Sequence, residues 1–188
     1  MSDVKTLPER ALDARASARV AVVIPSYRVR DHVADVILTV PALVRDIIVV
    51  DDACPEHSDE AAKSAGDDRV SVIRHDRNRG VGGATKTGFR RALDLGADVI
   101  VKVDGDGQID PTQIPRLIRP LLDGSTAYAK GNRFWHLSSL SNMPLLRRLG
   151  NLGLSFLTKA ASGHWGIFDP TNGFVALRGD VLMQLELD

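Results

Sequence analysis

Short runs of β-branched residues alternate with helix-compatible segments, and this alternation is the feature that most constrains the fold. The runs are rich in Val and Ile and end in Pro or polar residues: Arg19 to Pro25, Asp46 to Asp52, Arg69 to His75 and Asp98 to Asp104. Such strands are typical of sheets that are covered on both faces. The helix-compatible segments are Asp31 to Val40, Glu56 to Ala65, Gly82 to Leu95 and Pro111 to Leu122. The order predicts an α/β fold with an open, mainly parallel sheet.

The composition fits one domain with a substantial core, since 44% of the 188 residues are hydrophobic. The 24 basic residues are balanced by 24 acidic residues, so we predict no nucleic-acid partner. Cys54 is the only cysteine, which excludes an intramolecular disulfide. Residues 1–18 are predicted to be a flexible lead-in without a secretory signal, and residues 19–188 the domain. The hydrophobic runs are too short to cross a bilayer.

A segment rich in polar residues or glycine follows each of the four predicted strands. They are Pro25-Ser26-Tyr27, Asp51-Asp52, the glycine-rich loop Asn78 to Gly88, and Asp104-Gly105-Asp106. Ligands of such folds bind beyond the carboxyl ends of the strands, so we expect all four segments to converge on one edge of the sheet. Asp and Gly also terminate strands without any function. Four such segments at one edge favour a binding site.

The segment Val101 to Pro111, VKVDGDGQIDP, has three interpretations: a calcium loop, a solvated acidic turn or a catalytic metal site. A calcium loop needs glycine at its sixth position and glutamate at its twelfth. Counted from Asp104, those positions hold Ile109 and Pro115, so this interpretation fails. Two carboxylates so close together repel each other unless a cation lies between them. A divalent cation that also binds substrate phosphates satisfies that requirement better than a solvated turn does.

The order of six segments resembles family 2 of the glycosyltransferases, which are inverting enzymes with the GT-A fold. The segments are VVIPSY, IIVVDDAC, NRGVGGATKTGF, VKVDGDGQIDP, KGNRF and DPTNGF, and the resemblance covers about residues 20 to 185. Within the family, the chain is most similar to the polyprenyl- or dolichyl-phosphate sugar transferases. A D-x-D motif alone is weak evidence, whereas the ordered set of six is specific. The resemblance implies a GT-A fold and a GDP- or UDP-sugar as donor.

The resemblance also implies a donor site. The residues that it assigns to the nucleotide-sugar are Pro25, Ser26, Tyr27, Asp51, Asp52, Gly83, Asp104, Gly105 and Asp106. Asp104, Asp106 and Gln108 match the positions that hold Mg²⁺ or Mn²⁺ against the donor diphosphate. The family usually carries a glutamate soon after the tyrosine, as P-x-Y-N-E, but Arg28 and Val29 stand there in this chain. The contact made by that glutamate is therefore absent or comes from elsewhere, which leaves the donor's identity open.

Three residues are implied to be catalytic, namely Asp106, Arg133 and Asp169. Asp169, in DPTNGF, matches the acidic residue near the acceptor. It would act as a general base on a sugar hydroxyl, or mainly orient the site if the acceptor is an ionised phosphate. The alternative interpretation of Asp169 is a structural one, in which it only forms a turn or caps a helix. Arg133, Arg147 and Arg148 are the candidates for contacting an acceptor phosphate through a planar guanidinium.

The segment Met143 to Phe168 bears on the acceptor and has two interpretations. Its leucines follow one helix face, as in an amphipathic helix packed on the sheet. Alternatively, it is an interfacial helix whose basic residues make peripheral contact with a membrane and a lipid phosphate. GDVLMQLELD, at the end of the sequence, predicts a helix that begins after Gly179. Because the family usually continues further, we expect a longer protein, with transmembrane helices beyond Asp188 as one option.

We therefore predict a metal-dependent glycosyltransferase that acts on a polyprenyl or dolichyl phosphate at the cytoplasmic face of the membrane. One alternative is a soluble family 2 transferase whose acceptor is a saccharide or a protein. Another is a catalytically silent module that only binds a nucleotide-sugar. The predicted partners are the nucleotide-diphospho-sugar and a lipid-phosphate or saccharide acceptor. A homodimer is left open.

Overall fold

The structure is a computed structural model that describes residues 18–131 and 173–185. The chain divides into two compact units, one formed by Met1–Ala129 with Phe174–Asp188 and the other by Lys130–Gly173. The first unit contains most of the described residues, and the candidate site is built from it.

The described residues form a six-stranded sheet in the order β3-β2-β1-β4-β6-β5. The strands are β1 (Val20–Ser26), β2 (Val44–Asp51), β3 (Val70–Arg74), β4 (Val99–Lys102), β5 (Tyr128–Lys130) and β6 (Val175–Arg178). The pairs β1–β2, β2–β3 and β1–β4 are parallel, whereas β4–β6 is antiparallel. The predicted open, mainly parallel sheet is confirmed. β6 is a strand that the sequence did not predict, because it is defined by its pairing with β4, which is distant in the chain.

The helices of the described residues lie close to the predicted segments. They are α1 (Arg30–Leu38), α2 (Ser58–Ser64), α3 (Gly80–Asp94), α4 (Ile114–Leu122) and α5 (Gly179–Leu182), with a 3₁₀ turn over Pro111–Gln113. α3 begins two residues before the predicted start, so most of the glycine-rich segment is helix instead of loop. Gly80 has a φ of 76°, and its N–H donates to Asn78 Oδ1 at 2.9 Å, which turns the chain into the helix.

The core lies on both faces of the sheet, as expected for parallel strands with continuous apolar runs. Ile24 of β1 belongs to the cluster on the side of α1 and α4, and Val23 belongs to the cluster on the side of α3. α3 lies so close to β1 that a Cβ on Gly88 would come within 2.2 Å of Val23 Cγ1. Glycine is therefore required there, and this contact sets the position of α3 on the central strand.

The strand order creates a switch point beside β1. β2 and β3 lie on one side of β1, while β4 lies on the other, and all four strands are parallel. The segments that follow β1 and β4 therefore run in opposite directions and leave a crevice between them at the carboxyl edge, where open α/β sheets bind ligands. Among the described residues, no helix has both the length and the apolar character needed to cross a membrane.

Candidate functional site

The candidate site lies at the carboxyl edge of the four parallel strands, where the main-chain ladder continues beyond the strand ends. The Asp52 N–H donates to Ser26 O at 3.0 Å, and the His75 N–H donates to Asp51 O at 2.9 Å. On the other side of β1, the Val103 N–H donates to Val23 O at 3.0 Å. The expectation that the predicted segments converge on one edge is confirmed for these strand ends.

Asp51 is completely buried, and its carboxylate accepts hydrogen bonds from the chain's own main chain. Oδ1 accepts from the Cys54 N–H at 2.8 Å, and Oδ2 accepts from the Asp59 N–H at 3.0 Å. The guanidinium of Arg74 lies 3.8 Å from Oδ1. Asp51 therefore holds the turn after β2 and the start of α2 in place. The contact with the nucleotide that the sequence predicts for Asp51 stays a prediction.

Asp52 is also buried, but its hydrogen bonds leave one oxygen for a ligand. Oδ1 accepts from the Arg79 N–H at 2.8 Å and lies 2.7 Å from His75 Nδ1. In the part of the chain that the structure describes, every side-chain hydrogen bond of Asp52 ends on Oδ1. Oδ2 is the acceptor that remains for an N–H or hydroxyl of a ligand.

The turn after β1 presents an aromatic surface. Tyr27 is 40% exposed, and the guanidinium carbon of Arg28 lies 5.5 Å from the centre of its ring, within the range of a cation–π contact. Arg28 has a φ of 57°, and its N–H donates to Cys54 Sγ at 3.1 Å. Arg28 stands at one of the two positions where this chain departs from the family pattern. The structure thus places it against Tyr27, in the loop predicted to line the base.

Cys54 stabilises this turn through hydrogen bonds to its sulfur. Its sulfur accepts from Ser58 Oγ at 3.1 Å as well as from the Arg28 N–H. Burial raises the pKa of the Cys54 thiol, but hydrogen bonds from Ser58 and from main-chain N–H groups outweigh burial and leave the pKa below its usual value. The sequence shows only that the single cysteine stands here. Its role as a hydrogen-bond acceptor depends on contacts between separate loops.

The D-x-D turn follows β4 and is less enclosed than the turn after β2. Asp104, whose side chain is 34% exposed, forms an ion pair with the Lys102 ammonium, and Asp106 Oδ1 accepts from the Gln108 N–H at 3.1 Å. Gly107 has a φ of 73°, a conformation that favours glycine. The turn is thus shaped by local hydrogen bonds, and its carboxylates remain within reach of a ligand.

Gly105 lets this turn pack down on the end of β1. A Cβ at Gly105 would lie 3.2 Å from both Ile24 Cγ2 and Val29 Cγ2, and 3.4 Å from Ser26 Oγ. The Ser26 hydroxyl is buried, and no group among the described residues forms a hydrogen bond with it. A buried hydroxyl without a partner is costly, so a bound group at this position would stabilise the site.

The donor set of the D-x-D turn fits a hard divalent cation. Asp104, Asp106 and Gln108 offer two carboxylates and one amide oxygen, which are the ligands that Mg²⁺ and Mn²⁺ prefer. Among the described residues, no three His, Cys, Asp or Glu side chains are grouped so that they could hold a metal ion. A cation here would therefore complete its coordination with oxygens of a ligand or water. The Lys102 ammonium already shows that positive charge is favoured beside Asp104.

Asp110 belongs to the next helix and not to the metal site, as the sequence predicts. Its Oδ1 accepts from the Thr112 N–H at 3.0 Å and from Thr112 Oγ1 at 2.6 Å, which caps the 3₁₀ turn that begins at Pro111. The hydrogen bond from the Thr112 side chain lowers the pKa of the Asp110 carboxyl.

α3 begins at the same edge, because it follows β3 directly after a short loop. The side chain of its N-cap residue, Arg79, forms no hydrogen bond with the first turn, which contains Gly83, although Asn78 Oδ1 accepts from the Gly80 N–H. A Cβ on Gly83 would lie 2.6 Å from Arg79 Cβ, so this turn has no room for a larger residue. The N–H groups of a helix's first turn favour anions, such as the phosphates of a ligand.

Eight of the predicted site residues lie at the carboxyl ends of β1 and β2 or in the turns after β1, β2 and β4, and Gly83 lies in the first turn of α3. The eight are Pro25, Ser26, Tyr27, Asp51, Asp52, Asp104, Gly105 and Asp106. Gln108 is exposed just beyond the D-x-D turn. Arg133, Arg147, Arg148 and Asp169 lie outside the described residues, as does the segment 143–168.

Two residues of this edge, His75 and Lys102, were not predicted from the sequence to belong to the site. His75 directly follows β3, so its place at the end of a predicted strand was the available signal. Lys102 interrupts the apolar run of β4 two residues before Asp104, and residues two apart on a strand share a face. Both signals are visible in the sequence, but the contacts of His75 with Asp52 and of Lys102 with Asp104 are seen only in the structure.

Comparison with known proteins supports the resemblance. The family model described as "Glycosyl transferase family 2" matches residues 21–185. The UDP-N-acetylglucosamine--dolichyl-phosphate N-acetylglucosaminyltransferase of Methanococcus voltae is 41% identical over 117 residues, which are 62% of this chain and 46% of the relative. The dolichol-phosphate mannosyltransferase of Pyrococcus furiosus is 32% identical over 176 residues, 90% of this chain and 49% of the relative. The chain thus spans about half the length of these two relatives.

The undecaprenyl-phosphate mannosyltransferase of Micrococcus luteus is covered more completely. It is 32% identical over 183 residues, which are 90% of this chain and 70% of the relative. Among solved structures, the glucosyl-3-phosphoglycerate synthase of Mycobacterium tuberculosis matches with a TM-score of 0.70 at 22% identity, over 94% of this chain and 63% of that one. The same enzyme in complex with Mn²⁺, UDP and phosphoglyceric acid matches with a TM-score of 0.70 at 21% identity, over 94% of this chain and 61% of that one. The fold is therefore the predicted GT-A fold.

Proposed function

The chain belongs to glycosyl transferase family 2, and from this premise we propose that it transfers a sugar from a nucleotide-diphospho-sugar to a polyprenyl or dolichyl phosphate. The observation that carries the proposal is the meeting of two acidic turns at one switch point. The turn after β2 holds Asp52 in a fixed position, and the D-x-D turn after β4 offers carboxylates to a cation. Recognition of a nucleoside and of a metal-bound diphosphate requires both.

The donor half of the proposal is built from the described residues. Tyr27 and the guanidinium of Arg28 provide a flat surface for the base, and Asp52 Oδ2 accepts a hydrogen bond from the nucleoside. The first turn of α3 faces the diphosphate with the N–H groups that follow Gly80. Asp104 and Asp106, with Gln108, would hold Mg²⁺ or Mn²⁺. When bound, the cation offsets the negative charge that develops on the departing nucleoside diphosphate. A match to a structure that contains Mn²⁺ and UDP supports this half of the proposal.

The acceptor half rests on the relatives. Three of them are named for transfer to dolichyl or undecaprenyl phosphate carriers. A phosphate monoester is ionised near neutral pH, so it can attack the anomeric carbon without a strong general base. Attack from the face opposite the leaving group inverts the configuration. We assign the acceptor phosphate to Arg133, Arg147 and Arg148 and an orienting role to Asp169. Because the acceptor is a lipid, the reaction would take place at a membrane, with 143–168 near the lipid. We assign it to the cytoplasmic face.

A transfer assay tests this function. The full chain is incubated with Mn²⁺, radiolabelled UDP-N-acetylglucosamine or GDP-mannose, and a short-chain polyprenyl phosphate in detergent. We expect organic-extractable label from at least one donor, and none from the Asp104→Ala, Asp106→Ala double variant. Transfer of label only to free saccharides would favour the soluble transferase. Binding of donor without any transfer or hydrolysis would favour a silent binding module.

A further inference from the structure

His75 is a buried residue at the edge of the candidate site, and both nitrogens of its ring are engaged. It is only 6% exposed and directly follows β3. Nδ1 lies 2.7 Å from Asp52 Oδ1, and Nε2 lies 2.9 Å from Thr87 Oγ1. These contacts form a continuous chain of hydrogen bonds from the turn after β2, through the end of β3, to the middle of α3.

The direction of the hydrogen bonds follows from the chemistry of the groups. A carboxylate oxygen can only accept, so the proton between Asp52 and His75 is carried by Nδ1. In the neutral ring Nε2 then has no proton, and it accepts from the Thr87 hydroxyl. Thr87 thereby fixes the plane of the ring, and the ring in turn fixes the orientation of the Asp52 carboxylate.

Asp52 is joined to α3 in a second way. The same oxygen, Oδ1, accepts from the N–H of Arg79, the residue that immediately precedes the helix. Asp52 is therefore tied to the start of α3 directly and to its third turn through His75 and Thr87. Both ties use Oδ1, so Oδ2 is left as the acceptor for a ligand.

We propose that His75 is a positioning residue of the donor site, which sets the orientation of Asp52 relative to the first turn of α3. The inference rests on the proposed function, in which Asp52 contacts the nucleoside and that turn faces the diphosphate. Two parts of one donor are then recognised by two elements that a single side chain holds together. The link from β2 to α3 through His75 is the observation that favours this role, and among the described residues no metal-binding group of His, Cys, Asp and Glu includes His75.

Thr87 offers a test with a matched control on the same helix. Thr87→Val removes the hydroxyl that orients the ring. Thr85→Val removes a hydroxyl that donates only to Val81 O of its own helix, at 2.7 Å. The helix propensity changes equally in both variants. Binding of UDP and of GDP, each with Mn²⁺, is measured by isothermal titration calorimetry. For the nucleotide that the wild-type protein binds, we expect Thr87→Val to lower the affinity by about three- to tenfold, the usual effect of one neutral hydrogen bond. Thr85→Val should leave that affinity unchanged.

Substitutions of His75 separate positioning from packing. The side-chain amide of His75→Asn can donate to Asp52 from about the place of Nδ1, whereas His75→Leu fills similar space without a donor. We expect His75→Leu to lose at least about tenfold in nucleotide affinity, because a buried carboxylate loses a charge-assisted donor. His75→Asn should recover most of that loss. If the leucine variant does not fold, the two threonine variants decide the question.

The outcomes separate this inference from the function on which it rests. Wild-type protein that binds neither nucleotide would overturn the proposed donor site and the role of His75 with it. Wild-type protein that binds, together with equal affinities for Thr87→Val and Thr85→Val, would overturn the role of His75 alone. Equal losses in His75→Asn and His75→Leu would do the same, since a packing role does not depend on the donor to Asp52.

Discussion

Two acidic turns at the same sheet edge have opposite surroundings. In the turn after β2, Asp51 and Asp52 are buried, and their carboxylates accept hydrogen bonds from main-chain N–H groups and from His75. In the turn after β4, Asp104 and Asp106 are only partly enclosed, and Asp104 is paired with a lysine. The first turn is stabilised by the protein itself. The second still has carboxylate charge to offer to a ligand.

The proposed function accounts for this difference. A carboxylate that recognises a nucleoside has to be held in one orientation, and buried donors achieve this at a cost in desolvation that the hydrogen bonds offset. A carboxylate that binds a cation must be free to coordinate it. We therefore assign a fixed carboxylate orientation to the turn after β2 and cation binding to the turn after β4. Each assignment can be tested separately.

The largest expected effect is on catalysis, from Asp106→Ala. Transfer of sugar should fall by about a thousandfold, because an electrostatic contribution to the leaving group is lost. Asp110→Ala is the matched control in the same segment, since Asp110 caps the 3₁₀ turn. It should retain activity and lose about 1 kcal/mol of stability. Initial rates of transfer and urea unfolding of both variants measure the difference, and equal loss of activity would refute the distinction between them.

The next effect is on stability, from Asp51→Ala. This substitution leaves the buried N–H groups of Cys54 and Asp59 without an acceptor, so the free energy of unfolding should fall by about 3 kcal/mol. Asp104→Ala should cost less, since Asp104 is partly exposed and its removal leaves no main-chain N–H without an acceptor. Urea titrations followed by circular dichroism give both values. A larger loss for Asp104→Ala than for Asp51→Ala would reverse the roles of the two turns.

A smaller effect is expected on metal affinity, from Lys102→Met. Removing a positive charge beside Asp104 should make Mn²⁺ bind about tenfold more tightly, because the cation no longer competes with the ammonium. Methionine keeps a similar length in the partly buried position. Electron paramagnetic resonance of free Mn²⁺ measures the dissociation constant without any turnover. Weaker binding in the variant would show that Lys102 supports the metal site instead.

The smallest effect concerns pH and the surroundings of Asp51. Burial raises the pKa of Asp59, but Lys63 and Arg74 outweigh burial and leave it below its usual value. A carboxyl whose pKa is lowered in the folded state stabilises the protein above the pKa of the unfolded state, about 4, and loses this contribution as the pH falls. The free energy of unfolding should therefore decrease from pH 6 to pH 3. Asp59→Asn should make that decrease shallower, and an unchanged slope would contradict it.

The sequence was sufficient for the parts of the fold that depend on local pattern. The β-branched runs predicted β1 to β4, the polar residues after them predicted the edge of the site, and Asp110-Pro111 predicted the start of a helix. It did not reveal the task of Asp51 or the place of His75, because these depend on pairing between strands that are distant in the chain. β6 was not predicted for the same reason, since this short strand gains its stability from its neighbour β4.

Donor binding tests the central claim most directly. Thermal unfolding of the chain is followed with UDP, GDP and their sugar conjugates, each with and without Mn²⁺. A ligand present at a hundred times its dissociation constant adds about 2.7 kcal/mol, so we predict that the Tm rises by about 5 to 10 °C with one nucleotide family and only when Mn²⁺ is present. Asp104→Ala should abolish the rise. No metal-dependent rise with any nucleotide or nucleotide-sugar would contradict the account.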